Sequence, residues 1–402
     1  MKIALFTETY LPYINGVVTH VKILREGLTK LGHEVLVVCA NPNTKSYYLK
    51  DGVLNCPGVS FKKVYNYGIA TPISPIRFRY IKNFNPDVIH IHNEFGVGYS
   101  GAAAAKNLDI PLIYTLHTMY DDYLYYIAPR HLIKLAKKSA HAYAKMLGER
   151  ATCLTGPSKK VEAFFRSCGV DKPVHIIPNP VETDLFTPKC IQEDQRKQIR
   201  EKWNVQPDEM LLCFCGRLGK EKSVDVLLKY WSSTVRKQDR YKLLIIGDGP
   251  VKTELQALTK QLHLTDRIIF AGKVDHNQLP PYYAACDLYI TASISDTNSI
   301  SMLEAMATGL PVLHICDELN RGQVIDGVNG FVYQNPEQMH YQMMKYQKMD
   351  QEQKQLLKSA SRKSVLSSGA ETLANNLLKV YQESMSIHKN HLQKKKGTQK
   401  IS

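Results

Sequence analysis

The feature that most constrains this 402-residue chain is the alternation of short apolar runs with amphipathic stretches. Residues 2–7, 34–39, 88–92, 112–117, 152–155 and 174–177 are rich in β-branched and other apolar side chains. Between most of them, as over 21–31 and 131–147, apolar residues recur at helical spacing. A strand that is apolar along its whole length is buried on both faces. Strand–helix alternation then builds a parallel sheet with helices on either side. A second series follows at 211–214, 242–246, 268–271, 288–291 and 312–315. The chain is therefore predicted to be α/β, with two doubly wound domains facing a central cleft. The first spans 1–182 and the second 209–370, joined by a polar linker, 183–208, that carries the charge run EDQRKQIREKW. Residues 45–67 are less regular and read as an inserted loop or hairpin. Residues 371–385 are helical and expected to cross back toward the N-terminal domain; the Lys-rich stretch 386–402 is expected to be disordered.

Charge and cysteine content narrow the function classes. The net charge of +15 is unevenly spread: +10 over residues 1–180, zero over 181–385 and +5 over 386–402. Such a bias in the N-terminal half points to an anionic partner surface. No nucleic-acid module is recognisable and the charge is not interleaved with a stacking platform, so an anionic membrane leaflet is the better partner. No apolar run approaches the roughly 20 residues of a spanning helix, and MKIALFTETY goes straight into a strand pattern. The nine cysteines are odd in number, form no CxxC pair and lie partly inside strand patterns. Buried reduced thiols in a cytoplasmic protein fit this better than a disulfide framework. Neither Pro12–Val18 nor Gly247–Pro250 carries the three glycines of a dinucleotide fingerprint, which argues against NAD.

Candidate ligand-binding pieces fall at the C-terminal ends of strands, where open α/β sheets bind ligands. After the first strand, Gly16 lets a phosphate approach the backbone; a plain tight turn is the alternative. His117 ends the run LIYTLH, a position that suits catalysis or a purely structural role. CGRLGKEK, residues 215–222, presents Arg217, able to grip phosphate oxygens in pairs, and Lys222, a point charge. The alternative there is a solvated basic loop. AGKV, 271–274, could offer the Val274 backbone to a base ring. The stretch SDTNSISMLEAMATGLPVL, 295–313, reads as a loop, a helix, a turn and a buried strand. Its helix start, around Asn298, Ser299 and Ile300, can hold a phosphate on free N–H groups. Asp296 and Glu304 would repel a phosphate and so suit neutral hydroxyls. Phosphate at amides and hydroxyls at acids describe a nucleotide sugar.

Taken together, in this order and spacing, these pieces resemble family-4 retaining GT-B glycosyltransferases over nearly the whole chain. The 296–304 pair resembles their E-x7-E segment, with Asp296 where the family usually has Glu. The resemblance implies a GT-B fold of two Rossmann-like domains. It implies that Arg217 and Lys222 hold the donor diphosphate, Glu304 the ribose and Val274 the base. Gly16 and the amides of Asn298, Ser299 and Ile300 would accept phosphate, and Asp296 and His117 would face the transferred sugar. No metal is expected, since Arg, Lys and helix N-termini neutralise the leaving phosphate, and no DxD motif occurs.

The stretch TLHTMYDDYLYYI, 115–127, is similar to the acceptor segment of bacterial 1,2-diacylglycerol 3-glucosyltransferases. Downstream, Arg130, Lys134, Lys137, Lys138, His141 and Lys145 fall within about 100° of helical arc. Leu132, Ile133, Leu135, Ala136, Ala140, Tyr143 and Leu147 occupy much of the rest, and Tyr123, Tyr125, Tyr126 and Ile127 lie upstream. A basic amphipathic helix over 130–145 fits an anionic leaflet; an ordinary domain helix with a solvated face is the alternative. The expected activity is glucose transfer from UDP-glucose to diacylglycerol, by a protein peripherally associated with the inner face of the cell membrane. The same fold could act on another lipid or glycan, or serve as a weakly active membrane-docked accessory protein.

Overall fold

The computed structural model describes residues 1–13, 15–61, 67–119, 121, 129–190 and 192–399. The chain divides into two compact units, Met1–Pro180 with Ala370–Ser402, and Val181–Gly369.

The first unit contains β1 (Lys2–Thr7), β2 (Glu34–Asn41), β3 (Tyr48–Lys50), β4 (Val53–Phe61), β5 (Tyr67–Ala70), β6 (Val88–Ile91), β7 (Leu112–Thr115), β8 (Cys153–Gly156) and β9 (Val174–Ile176). They form one sheet in the order β3-β4-β2-β1-β6-β7-β8-β9, with β5 paired to β4. From β4 to β9 neighbouring strands are parallel, whereas β3 and β5 run antiparallel to β4. Ile3, Ala4, Leu5 and Phe6 are all fully buried, because β1 lies mid-sheet with apolar layers on both faces. The irregular stretch 45–67 supplies β3 and the whole of β4.

The second unit contains β10 (Met210–Cys215), β11 (Tyr241–Ile246), β12 (Ile268–Gly272), β13 (Leu288–Thr291), β14 (Val312–Ile315) and β15 (Gly330–Tyr333). All are parallel, in the order β12-β11-β10-β13-β14-β15. Two apolar layers flank this sheet, one around Trp231, Leu243 and Phe331, the other around Tyr283, Met302 and Met306. Both units are doubly wound α/β domains.

Three expectations need correction. The polar stretch 183–208 is part of the second unit rather than a linker. It forms the helix Glu193–Lys202, whose Arg200 donates to the carbonyls of Ala285, Gln206 and Glu209 and pairs with Asp287 at 3.4 Å. Its charges mark a wet outer face on a docked element. Residues 386–399 of the basic stretch are helical rather than disordered, since the last helix runs Ala370–Gln399. Leu373, Ala374, Leu377, Val380 and Tyr381 bury its first half against Val21, Leu24 and Leu28 of the helix Gly16–Lys30. A docked half supplies the costly nucleus, and each further residue then adds a hydrogen bond. His388 also reaches the Asp109 carbonyl at 2.9 Å.

The third correction concerns the basic helix, which spans Ile133–Arg150. Its buried residues, Ala144, Leu147 and Gly148, are confined to the C-terminal half. Leu132 and Leu135, on the apolar arc by periodicity, are 43% and 62% exposed. Lys134 and Lys138 are exposed beside them, while Lys137 is tied to Asp121 at 2.7 Å. Tyr123, Tyr125, Tyr126 and Ile127, and the side chain of Arg130, lie outside the described residues. Among the described residues no helix is long and apolar enough to cross a membrane. Seven of the described cysteines are buried, Cys316 is half-buried, and all eight are free thiols.

Candidate active site

In the second unit the candidate residues gather on loops that follow β10, β12 and β13. The chain leaves β10 at Cys215 and turns through Gly216, whose φ of 157° places it at the edge of the glycine-favoured region. It then forms a short 3-10 turn, Lys220–Lys222. Glu221, inside that turn, has a fully buried side chain and forms an ion pair with Arg217. The Glu221 carbonyl accepts from Ser295 Oγ at 2.9 Å and from Ser293 Oγ at 3.4 Å. The basic loop is thereby fastened to the loop carrying Asp296.

Lys222 Nζ forms an ion pair with Asp296 Oδ1, and Ser293 Oγ donates to Asp296 Oδ2 at 2.9 Å. Burial alone would raise the Asp296 carboxyl. The Lys222 ammonium and the Ser293 hydroxyl outweigh it and hold the group below its ordinary value. Asn320 Nδ2 donates to the Asp296 carbonyl at 2.7 Å and Gln323 Nε2 to the Thr297 carbonyl at 3.3 Å, bracing the loop from the other side.

Four residues past Asp296, the helix Ile300–Ala307 starts after Ser299, whose side chain makes no capping hydrogen bond. Tyr289 OH, from β13, lies 3.0 Å from Ser301 Oγ and donates to the Cys215 carbonyl at 3.0 Å, joining helix start to strand end. Within this helix Glu304 is buried and meets His276 Nε2 at 2.7 Å and Tyr283 OH at 3.3 Å. Burial raises its carboxyl above the ordinary range, and these two partners only partly offset that. His276 stands in turn 3.9 Å from Glu182. Val274, half-buried, lies in the loop that leads from β12 to His276.

Gly16 and His117 belong to the first unit. Gly16 is the exposed first residue of the helix Gly16–Lys30, capped by Asn15, whose side chain accepts from Val18 N at 2.9 Å. His117 is half-buried two residues beyond β7, with Nε2 3.0 Å from His92 Nδ1. Burial and the neighbouring His20 and His90 keep its ring neutral, well below the ordinary histidine value.

The structure thus joins Lys222 directly to Asp296, and places Asn298, Ser299, Ile300 and Glu304 on one loop–helix segment. Glu221, Ser293, His276 and Asn320 are connections that motif reading missed. Glu221 lies in the CGRLGKEK loop and was open to suspicion. His276 is 28 residues from Glu304 in sequence, and nothing local marks the pair.

Two parallel α/β units, each with its ligand-type loops at strand ends, define a GT-B-type nucleotide-sugar transferase architecture. Family comparison agrees: the model described as Glycosyltransferase Family 4 matches residues 14–185, and Glycosyl transferases group 1 matches 195–364. The chain belongs to the family-4 glycosyltransferases. It is 31% identical to the alpha-monoglucosyldiacylglycerol synthase of Acholeplasma laidlawii, over 84% of this chain and 86% of that one. Identity to the protein of the same description from Streptococcus pneumoniae is 29%, over 83% and 75%. Among solved structures, Anabaena HepE in complex with UDP superposes with a TM-score of 0.71 at 17% identity, covering 95% of this chain and all of that one, a likeness of fold.

Proposed function

We propose that this chain is a retaining, metal-independent glucosyltransferase that moves glucose from UDP-glucose to diacylglycerol at an anionic membrane surface. The observation that carries the donor half is the Lys222–Asp296 ion pair, fixed to Arg217 through Glu221 and set next to the uncapped start of the helix Ile300–Ala307. An arriving diphosphate gives Lys222 a stronger anionic partner than one carboxylate and offers Arg217 oxygens that accept from its guanidinium N–H groups. Lys222 then turns toward the phosphate and Asp296 toward the neutral hydroxyls of the sugar. Glu304, oriented by His276 and Tyr283, takes the ribose hydroxyls. As the sugar–phosphate bond breaks, charge grows on the phosphate oxygens. Arg217, Lys222 and the amides near Ser299 and Ile300 stabilise it, so the leaving group needs no cation from outside the chain.

Support for the acceptor half comes from the two synthases above and from the exposed Lys134, Leu135 and Lys138 on the helix Ile133–Arg150. Purified protein treated with EDTA, given a panel of UDP-glucose, UDP-galactose, UDP-N-acetylglucosamine and GDP-mannose, tests the whole reading. Vesicles of phosphatidylglycerol with diacylglycerol serve as acceptor. Glucolipid with an α-linkage, formed from UDP-glucose in EDTA, is the expected product. A β-linked product, a strict metal requirement or preference for another donor overturns the corresponding part.

A further inference from the structure

The first unit encloses four histidines at the C-terminal edge of its sheet. His90 and His92 come from the end of β6, His117 from beyond β7 and His20 from the helix Gly16–Lys30. Ring centroids are 4.0 Å apart for His90 and His92, 4.6 Å for His20 and His117, and 5.3 Å for His92 and His117. Both nitrogens of His90 are engaged, Nδ1 with Tyr381 OH at 2.8 Å and Nε2 with Thr115 Oγ1 at 2.6 Å. His20 and His92 differ. His20 Nδ1 meets Asn179 Oδ1 at 3.0 Å, so Nδ1 carries the proton and Nε2 presents a lone pair. That Nε2 is buried with no hydrogen-bond partner, and so is Nε2 of His92. Both side chains are essentially inaccessible, at 2% and 0% exposure. Two orphaned buried nitrogens in one cluster are a cost that a bound group would remove.

We infer that His20, His92 and His117 form a binding site for a borderline divalent transition ion of the Zn²⁺ class. One ligand atom from each lies within 4.8 Å of the others. Rotation of the rings brings such a set to the roughly 2.0–2.1 Å bonds of zinc–imidazole sites. Imidazole without carboxylate favours zinc, copper or nickel over magnesium or calcium. Asn179 acts as the outer-shell partner that fixes the tautomer and aim of His20. Three protein ligands leave a fourth position open. Because the family resemblance has His117 face the transferred sugar, an ion held there inhibits transfer. That consequence rests on the proposed function; the binding does not.

Untagged full-length protein, stripped with EDTA and desalted, is titrated with Co²⁺ and followed by absorption. The expected result is one equivalent bound, with the visible bands of a four-coordinate nitrogen site and displacement by Zn²⁺. His20→Ala and His92→Ala should abolish those bands, and Asn179→Ala should weaken binding about 10–100-fold. Should the histidine variants not fold, X-ray absorption of the Zn²⁺-loaded wild type decides, since the site requires three imidazole nitrogens. No visible Co²⁺ band in the wild type overturns the proposal. So does a thiolate band that disappears in Cys153→Ser, because it moves the ion to the separate Cys153, His175 and Glu383 cluster. Zn²⁺ that binds at the three histidines without lowering glycolipid synthesis leaves the site standing and refutes the role of His117 in transfer.

Discussion

Asp296 is where residue-scale reasoning is sharpest, because one methylene separates it from the glutamate usual in the family. The shorter side chain withdraws its carboxylate by about 1.5 Å, one carbon–carbon bond. The structure shows the shorter arm braced: Lys222 and Ser293 hold the carboxylate, and Asn320 holds its backbone carbonyl. Asp296→Ala should therefore lose about 10²-fold or more in turnover, and Asp296→Glu should be impaired by crowding against Lys222. Wild-type turnover and donor preference in Asp296→Ala would remove it from the site. His276 makes a separate prediction through Glu304. A hydrogen bond to a charged group is worth about 1.5–3 kcal/mol. His276→Ala should raise the KM for UDP-glucose about tenfold or more with a smaller effect on kcat, and His276→Gln, still a donor, should recover part of it. Equal loss in kcat and KM, without recovery by Gln, would make the contact merely structural. Glu8 predicts a pH effect. Burial pushes its carboxyl from 4.5 to about 8, against the Val97 and Ala70 backbone and the Arg77 charge, with Glu94 pushing the same way as burial. Its protonated form is favoured in the folded state, so its contribution is complete below about 4.5 and is lost as pH rises toward and past 8. Glu8→Gln, neutral throughout, should flatten the decline of Tm between about pH 4.5 and 8; an unchanged decline would clear Glu8 of that role.

At the scale of elements, strands were the most legible feature. Strands buried on both faces must be apolar throughout, and β1, β2, β6 to β9 and β10 to β14 all coincide with runs visible in the sequence. The strand β15 is not legible because GFVY is short and follows a turn-rich stretch. The helix Glu193–Lys202 was read as linker because none of its residues is buried. The donor loops were legible as motifs, since Gly, Arg, Lys and acid fall at fixed offsets within them. The three proposed metal ligands were not, since His20, His92 and His117 come from separate parts of the fold, 72 and 25 residues apart in sequence. For the helix Ile133–Arg150, periodicity located the basic arc correctly but could not show that Asp121 pairs with Lys137 and His141. The outward charges that remain are better represented by Lys134 and Lys138. Each is worth roughly 1 kcal/mol at an anionic leaflet, so Lys134→Gln with Lys138→Gln should weaken binding to phosphatidylglycerol vesicles about 30-fold. Leu135→Ser should lengthen neither element nor charge, and should lower binding through lost apolar insertion alone. Hydrolysis of UDP-glucose in solution should survive both changes. Vesicle binding equal to wild type in the combined variant would return this helix to an ordinary solvated role.

On the scale of the whole molecule, the chain leaves the first unit at Pro180 and returns to it at Ala370, so that unit is completed by residues that follow the whole of the second unit in sequence. The fit is close. A Cβ added at Gly27 would come within 2.3 Å of the Ala370 carbonyl oxygen and 2.9 Å of Ala374 Cβ, so the two helices approach over a bare backbone. Leu373, Leu377, Val380 and Tyr381 are buried there, and Tyr381 OH holds His90. At about 1.5–3 kcal/mol for each large apolar side chain, those four contribute on the order of 6–12 kcal/mol as an upper estimate. That is comparable to the whole stability of a typical domain, about 5–15 kcal/mol. Ending the chain at Gly369 should therefore unfold the first unit while leaving the second, whose residues 181–369 are all retained, able to bind UDP. Gly27→Val should reproduce a milder form of the same defect. Ending the chain at Met385 keeps every residue of the helix described as buried, gives up the His388–Asp109 contact and should change Tm little, with some loss of vesicle binding because the charge of 386–402 goes with it. Thermal unfolding followed together with UDP protection of the second unit separates the cases. The return helix is a dispensable appendage if the Gly369 truncation melts like the full chain; selective loss of the first unit is the outcome its burial requires.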